Sequence, residues 1–156
     1  MPTEPQLIMV REALPDDAAR VAVLLTQLGA PGVDEAEAGR RLARGDERVL
    51  VAVDEEGVVT GLVAVKPELP FGHAEPLLRI TALVSDADRR RRGAAKALID
   101  SAKQLAGRLG CTGIELTCGL TPDRAAAHRF YPEQGFVITS HRYWWAGEPA
   151  EEVAAS

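Results

Sequence analysis

Cysteine is scarce: Cys111 and Cys118 are the only two in 156 residues. Six residues separate them instead of the CxxC spacing of a zinc or redox site, so they read as two buried thiols, and no metal is expected. Long apolar runs are also missing. None approaches the ~20 residues that cross a bilayer, and the opening MPTEPQLIMV lacks the basic-then-apolar order of a secretory signal. A cytoplasmic protein with no membrane partner is the expectation. The phosphate motif GxxxxGK[ST] is absent, which excludes a Walker-type nucleotide loop. No strand leads into GxGxxG, which argues against a dinucleotide fold. Internal repeats are lacking too, and only the tail EPAEEVAAS has the composition of a disordered end.

What is present fits one domain over residues 1–147, with 148–156 as an acidic tail. Apolar residues make up 46% and charged residues 26%, ordinary for a globular protein long enough to bury a core. The net charge of -5 is unevenly spread. Residues 1–60 hold six Arg and twelve Asp or Glu, a net of -6, whereas 89–108 hold seven Lys or Arg against Asp100 alone, a net of +6. That segregation places an anion at one point of the chain. Nucleic acid would call for a wider basic face, so it is not the expected partner.

The pattern of elements is mixed. Residues 6–12 (QLIMVRE) predict a strand. Pro15, Asp16 and Asp17 start a helix, continued by Val21, Leu24, Leu25 and Leu28 and stopped by Gly29. A second helix is predicted over 34–43, with acidic residues first and arginines last. Residues 48–53 and 58–65 flank DEEG as a hairpin, and 76–85 (PLLRITALVS) form a longer strand. A helix to about Arg108, a strand over 112–118, a helix over 122–134 and a strand over 136–145 complete the order βααβββαβαβ, an α/β (α+β mixed) single domain.

The densest positive charge is DRRRRGAAKALID, residues 88–100. It sits where the strand ITALVS ends and a helix starts. A helix start offers unpaired N–H groups and the positive end of a dipole, hence a seat for phosphate. Gly93, Ala94 and Ala95 are small enough to let a phosphate reach the backbone. Ala94, Ala97, Leu98, Ala102, Leu105 and Leu109 share one face and dock the helix on a core. The arginines add charge-assisted bonds. A solvated basic helix start is the plainer reading of RxxGxA by itself.

ITALVSDADRRRRGAAKALIDSA, then GCTGIELTCG, then AHRFYPEQGF resemble successive motifs of the GNAT family of N-acetyltransferases, across about residues 7–145. The resemblance implies a central mixed, mostly antiparallel sheet flanked by helices. It implies acetyl-CoA as co-substrate, with its pyrophosphate held by Arg90, Arg91, Arg92, Gly93, Ala94, Ala95 and Lys96. On this reading the four arginines neutralise the CoA diphosphate. Leu83, Val84 and Ser85 would pair their backbone with the pantetheine arm, and the strand at 112–118 would splay away to open the slot.

Tyr131 matches the family's proposed general acid toward the departing thiolate, a role a phenol of pKa ~10 can fill. Packing between helix and sheet is its structural alternative. Two positions depart from the family pattern. Pro132 replaces a helix-compatible residue, so the helix is expected to stop at Phe130 or Tyr131. Arg124 stands where many members carry an Asn that touches CoA. No carboxylate lies inside the strand before the phosphate loop; His73 and Glu75, just upstream, are the base or substrate candidates, each equally readable as a solvated loop residue. Glu35, beside Asp34 and Glu37, could face a cationic amine or serve only a helix start. Alternation would bury one of Trp144 and Trp145, leaving the other for an acceptor cleft or dimer.

The implied activity is transfer of an acetyl group to a primary amine, of a small molecule or a peptide, by direct transfer in a ternary complex. A monomer or homodimer is expected. The competing class is an acyl-CoA-binding sensor or subunit that does not turn over.

Overall fold

A computed structural model describes residues 7–89 and 93–147; Arg90, Arg91 and Arg92 and the tail over 148–156 lie outside the described residues. The chain divides into two units, Met1–Leu116 and Thr117–Ser156. The first contains β1 (Met9–Glu12), α1 (Ala18–Leu28), α2 (Glu35–Arg44), β2 (Arg48–Val53), β3 (Val59–Glu68), β4 (Leu77–Ser85), α3 (Ala94–Arg108) and β5 (Ile114–Glu115). The second contains α4 (Ala125–Glu133), entered through a 3-10 turn at Pro122–Arg124.

Local chemistry sets these boundaries. The Asp54 carboxylate accepts from the Glu56 and Val58 amides at 2.9 and 3.0 Å, which closes the DEEG turn and pairs β2 with β3. Asp34 caps α2 by accepting from the Glu37 amide at 2.8 Å, and Glu37 binds Arg40 and Arg41 one turn on. A short 3-10 turn over Pro15–Asp17 leads into α1, with the Asp17 carboxylate accepting from the Leu14 amide and Arg11.

The sheet runs in the order β1-β2-β3-β4-β5. Its first four strands are antiparallel, with Leu50 opposite Val63 and Leu62 opposite Val84, and β5 joins β4 in parallel. Alternation splits the side chains between two faces. Val51, Leu62 and Val84 join Val21 and Leu24 of α1 in one buried cluster. Gly61, on the opposite face, lies under Leu98 of α3. Leu98, Ile99, Ala102 and Leu105 are buried along α3, each such large side chain contributing about 1.5–3 kcal/mol of apolar burial. Helices thus cover both sides of the sheet, and the mixed, mostly antiparallel architecture is as expected.

Three expectations are corrected. No strand forms over 136–147 among the described residues; alternation says which side chains would share a face, not which sheet edge would accept them. Trp144 and Trp145 are both exposed there, and Arg142 stacks 4.6 Å over the Trp144 ring. The strand foreseen over 112–118 shrinks to two residues, because β5 pairs with β4 only at Leu78–Ile114 and Arg79–Glu115. Finally, α4 does not stop before Pro132 but continues to Glu133. Proline is tolerated here because it falls in the last turn, where the chain tightens and the Gln134 amide donates to the Phe130 and Tyr131 carbonyls.

Candidate active site

The turn from β4 into α3 is built around one buried carboxylate. Asp86, 4% exposed, follows the last residue of β4. Its amide donates to the Thr60 carbonyl of β3 at 2.7 Å. The carboxylate accepts from Arg20 of α1 at 2.7 Å, from Gln27 at 3.2 Å and from the Asp88 amide at 3.1 Å. Gln27 also accepts from the Ala87 amide at 2.8 Å. Burial alone would raise the Asp86 pKa, but the Arg20 guanidinium and these donors outweigh it and hold the carboxyl below the usual range.

Arg89, first of the four arginines, is drawn into this frame. It donates to Asp54 at 2.8 Å and lies 3.8 Å from Asp86. It is an anchor of the turn, which corrects the expectation that all four arginines face an anion. Asp54, bonded chiefly by the Val58 amide and also by Arg89, is held below the ordinary carboxylate range.

Past this frame the chain reaches Gly93, whose φ of 85° suits glycine, and α3 starts with the Ala97 amide donating to the Gly93 carbonyl at 2.9 Å. The amides of Ala94, Ala95 and Lys96 belong to the first helical turn and have no carbonyl of α3 to bind. Ala94 is buried, whereas Gly93 and Lys96 are exposed. Lys96 pairs with Asp100 at 2.8 Å. An anion seat made of backbone amides therefore fits a diphosphate by chemistry and by side-chain size.

The same end of β4 carries Leu83, Val84 and Ser85, which pair with Val63, Leu62 and Gly61 of β3. On the other edge the two-residue ladder to β5 ends at Arg79, and among the described residues no strand pairs with β4 beyond it on that side. A register shift interrupts β3–β4 pairing: Ala64 faces Ala82 and Val65 faces Ile80, leaving Thr81 as a bulge. The Thr81 hydroxyl donates to the Glu47 carboxylate.

Two further candidates lie at the opposite end of β4. His73 and Glu75 are exposed in the loop before β4, about 25 Å along the strand from Ser85. Glu35 is exposed in the first turn of α2, beside the capping Asp34. Arg79, the charge inside β4, pairs with Glu115 at 3.0 Å. In the second unit Tyr131 lies on α4 against Phe130 and Phe136, with ring centroids 5.5 and 5.8 Å away in edge contacts. Burial first, then the neighbouring Cys118, push its phenol above the ordinary tyrosine value, against the opposing charge of Arg124. Cys111 and Cys118 are free and only half-buried, not fully buried as expected.

Asp86, Arg20, Glu47 and Thr81 are the residues that sequence reasoning missed. Asp86 stood in plain view at the strand–helix junction, but nothing in sequence couples it to Arg20, 66 positions away.

The geometry has counterparts among known proteins. The family model described as the Acetyltransferase (GNAT) family matches residues 21–136. Glucosamine-6-phosphate N-acetyltransferase from Arabidopsis thaliana is similar at 20% identity, over 91% of this chain and 99% of that one, with a TM-score of 0.75. An aminoglycoside N-acetyltransferase in complex with CoA is similar at 16% identity, over 93% and 97%, also with a TM-score of 0.75. The ribosomal-protein-alanine N-acetyltransferase of Brucella melitensis is similar at 19% identity, over 89% and 97%, with a TM-score of 0.74. No curated protein matches in sequence. Among the described residues no helix is long and apolar enough to cross a membrane. With the family model spanning most of the chain and the fold shared throughout, the chain belongs to the GNAT family of acetyltransferases.

Proposed function

We propose that residues 1–147 act as one domain that moves the acetyl group of acetyl-CoA onto a primary amine of a small molecule, by direct transfer in a ternary complex. One observation carries this reading: past the turn that follows β4, α3 opens at Gly93 with φ of 85°, and among the described residues β4 has no strand on its β5 side beyond Arg79. Acetyl-CoA, when bound, supplies the activated acetyl group. The amides of Gly93, Ala94, Ala95 and Lys96 hold its diphosphate, and Arg90, Arg91 and Arg92 add charge. Backbone groups of Leu83, Val84 and Ser85 hold the pantetheine arm. Tyr131 gives its proton to the departing thiolate; a phenol pushed above its ordinary pKa stays protonated at neutral pH, as a donor must. Neither cysteine is needed as a nucleophile.

Calorimetric titration with acetyl-CoA, beside 3'-dephospho-CoA and ATP, tests the donor site. Acetyl-CoA is expected to bind in the micromolar range, and to bind more weakly when Arg90 and Arg92 become Ala. A folded sample that ignores acetyl-CoA and other acyl-CoAs overturns the proposal.

A further inference from the structure

Between the α1–α2 pair and the sheet lies a cavity of about 340 Å³. Its size is that of a small-ligand site, which commonly starts near 300 Å³. The walls are apolar: Val21, Leu25 and Leu28 of α1, Leu42 of α2, and Val49 and Leu62 of the sheet. Charge is confined to the stretch from Arg41 to Glu47. Arg41 is paired with Glu37 at 3.0 Å and Arg44 with Asp46 at 3.0 Å. Glu47 is different. It is half-buried, it accepts from the Thr81 hydroxyl, and no cation pairs with it among the described residues. Thr81 and Ala82 both line the cavity, because the bulge in β4 turns two successive side chains to one face.

A carboxylate without a counter-ion at the edge of an apolar chamber is complementary to an ammonium group on an apolar body. We infer that this cavity takes the acceptor, a monoamine with a compact hydrocarbon body, and that Glu47 receives its ammonium group while Thr81 fixes the carboxylate. The inference rests on the transferase reading only for the word acceptor. Thr81 precedes Leu83 by two residues, so an amine at Glu47 lies beside the stretch of β4 proposed to hold the pantetheine arm. Hydroxyl-rich aminosugars are disfavoured: hydroxyls set against Leu25, Leu28 and Val49 would be stripped of water, and the polar side chains of the lining are confined to Thr81 and the stretch from Arg41 to Glu47.

The test is calorimetric titration of the full chain, with and without saturating CoA, using phenethylamine, its neutral isostere phenethyl alcohol, and glucosamine. Phenethylamine is expected to bind at least about tenfold more tightly than the alcohol or glucosamine, the scale of one charge-assisted contact. Glu47→Gln should erase the difference between amine and alcohol while leaving alcohol binding and the melting temperature in place. Equal affinities for amine and alcohol, a preference for glucosamine, no amine binding, or an unchanged amine affinity in the folded Glu47→Gln protein would each overturn the inference. The comparison of ligands on the unsubstituted protein holds even if the variant does not fold. Acetyl-CoA titrated into the same samples reads the donor site separately. Donor binding without amine binding sinks this inference alone, and amine binding without donor binding sinks the transferase reading alone.

Discussion

The guanidinium of Arg20 donates to the Asp86 carboxylate at 2.7 Å and to the Val59 carbonyl at 2.8 Å. One side chain of α1 thereby ties β3 to the turn between β4 and α3. Removing the carboxylate leaves Arg20 one-third exposed and without its partner. Asp86→Ala should therefore cost about 2–3 kcal/mol, less than the 3–5 of a fully buried pair because water reaches the guanidinium. Asp86→Asn should cost less, since it keeps hydrogen bonds. Urea unfolding measures both, and a loss below about 0.5 kcal/mol in Asp86→Ala would show that the network is ornamental to stability.

Acid should expose the same network. Asp86 titrates below its ordinary value because Arg20 and its amide donors outweigh burial, and Asp17 does so chiefly through Arg11. A depressed folded-state pKa means that the stability is complete above the unfolded value, about 3.9, and is lost as pH falls through the folded value. The melting temperature should thus be flat near neutrality and fall below about pH 4. The gap between wild type and Asp86→Asn should narrow over that acid range. A gap that stays constant with pH would refute the linkage.

Gly61 tests how closely α3 lies on the sheet. A Cβ there would stand 3.0 Å from the Val84 carbonyl oxygen and 3.1 Å from a Leu98 methyl. The methyl can yield, but the carbonyl belongs to β4 and cannot move without disturbing the ladder. Gly61→Ala should destabilise the protein by about 1–3 kcal/mol, as overpacked cores do. Because Val84 is among the residues proposed to hold pantetheine, acetyl-CoA affinity should fall too. Thermal unfolding and titration would show whether both effects are present.

Much of this was legible in the chain itself. The hairpin around DEEG, the stop at Gly29, the Asp34 start and the long α3 all follow from local chemistry, where partners are a few residues apart. The start of α3 at Gly93 was legible because glycine and two alanines stand together after a strand. What escaped reading depends on distant partners. Arg89 looked like one more cation of a run until its pairing with Asp54 placed it in the frame. Glu47 looked like any charge before a strand, and only the bulge at Thr81 gives it a position. The strand foreseen over 136–145 failed for the same reason, since its alternation has no paired edge among the described residues.

The conformation of Gly93 separates backbone geometry from side-chain size. At φ of 85° an alanine is strained by about 1–2 kcal/mol, while asparagine enters this region more readily. Among the described residues only an Ile8 methyl, 3.9 Å away, lies near a Cβ at this position, so backbone conformation is the obstacle they present. Stability should rank Gly93 above Gly93→Asn above Gly93→Ala. Acetyl-CoA affinity should follow the same rank, and a Gly93→Ala protein that binds as tightly as wild type would remove the loop from the proposed donor site.

Tyr131 decides between turnover and mere binding. Its phenol is raised above the ordinary value by burial and by Cys118, so ionisation followed by ultraviolet difference absorbance should have its midpoint above pH 10. The sign follows: the protonated form is favoured in the folded state, and the stability it lends is lost only as pH rises through that midpoint. Cys118→Ser should bring the midpoint down toward the ordinary value. Tyr131→Phe keeps the ring contacts with Phe130 and Phe136 and deletes only the hydroxyl proposed as proton donor. The rate of CoA release with an accepted amine should drop by about 10²–10⁴-fold, the usual share of general acid catalysis, while acetyl-CoA affinity stays within twofold of wild type. If both turnover and affinity survive in Tyr131→Phe, the proton reaches the thiolate from another donor, and Tyr131 is left as a packing residue of α4.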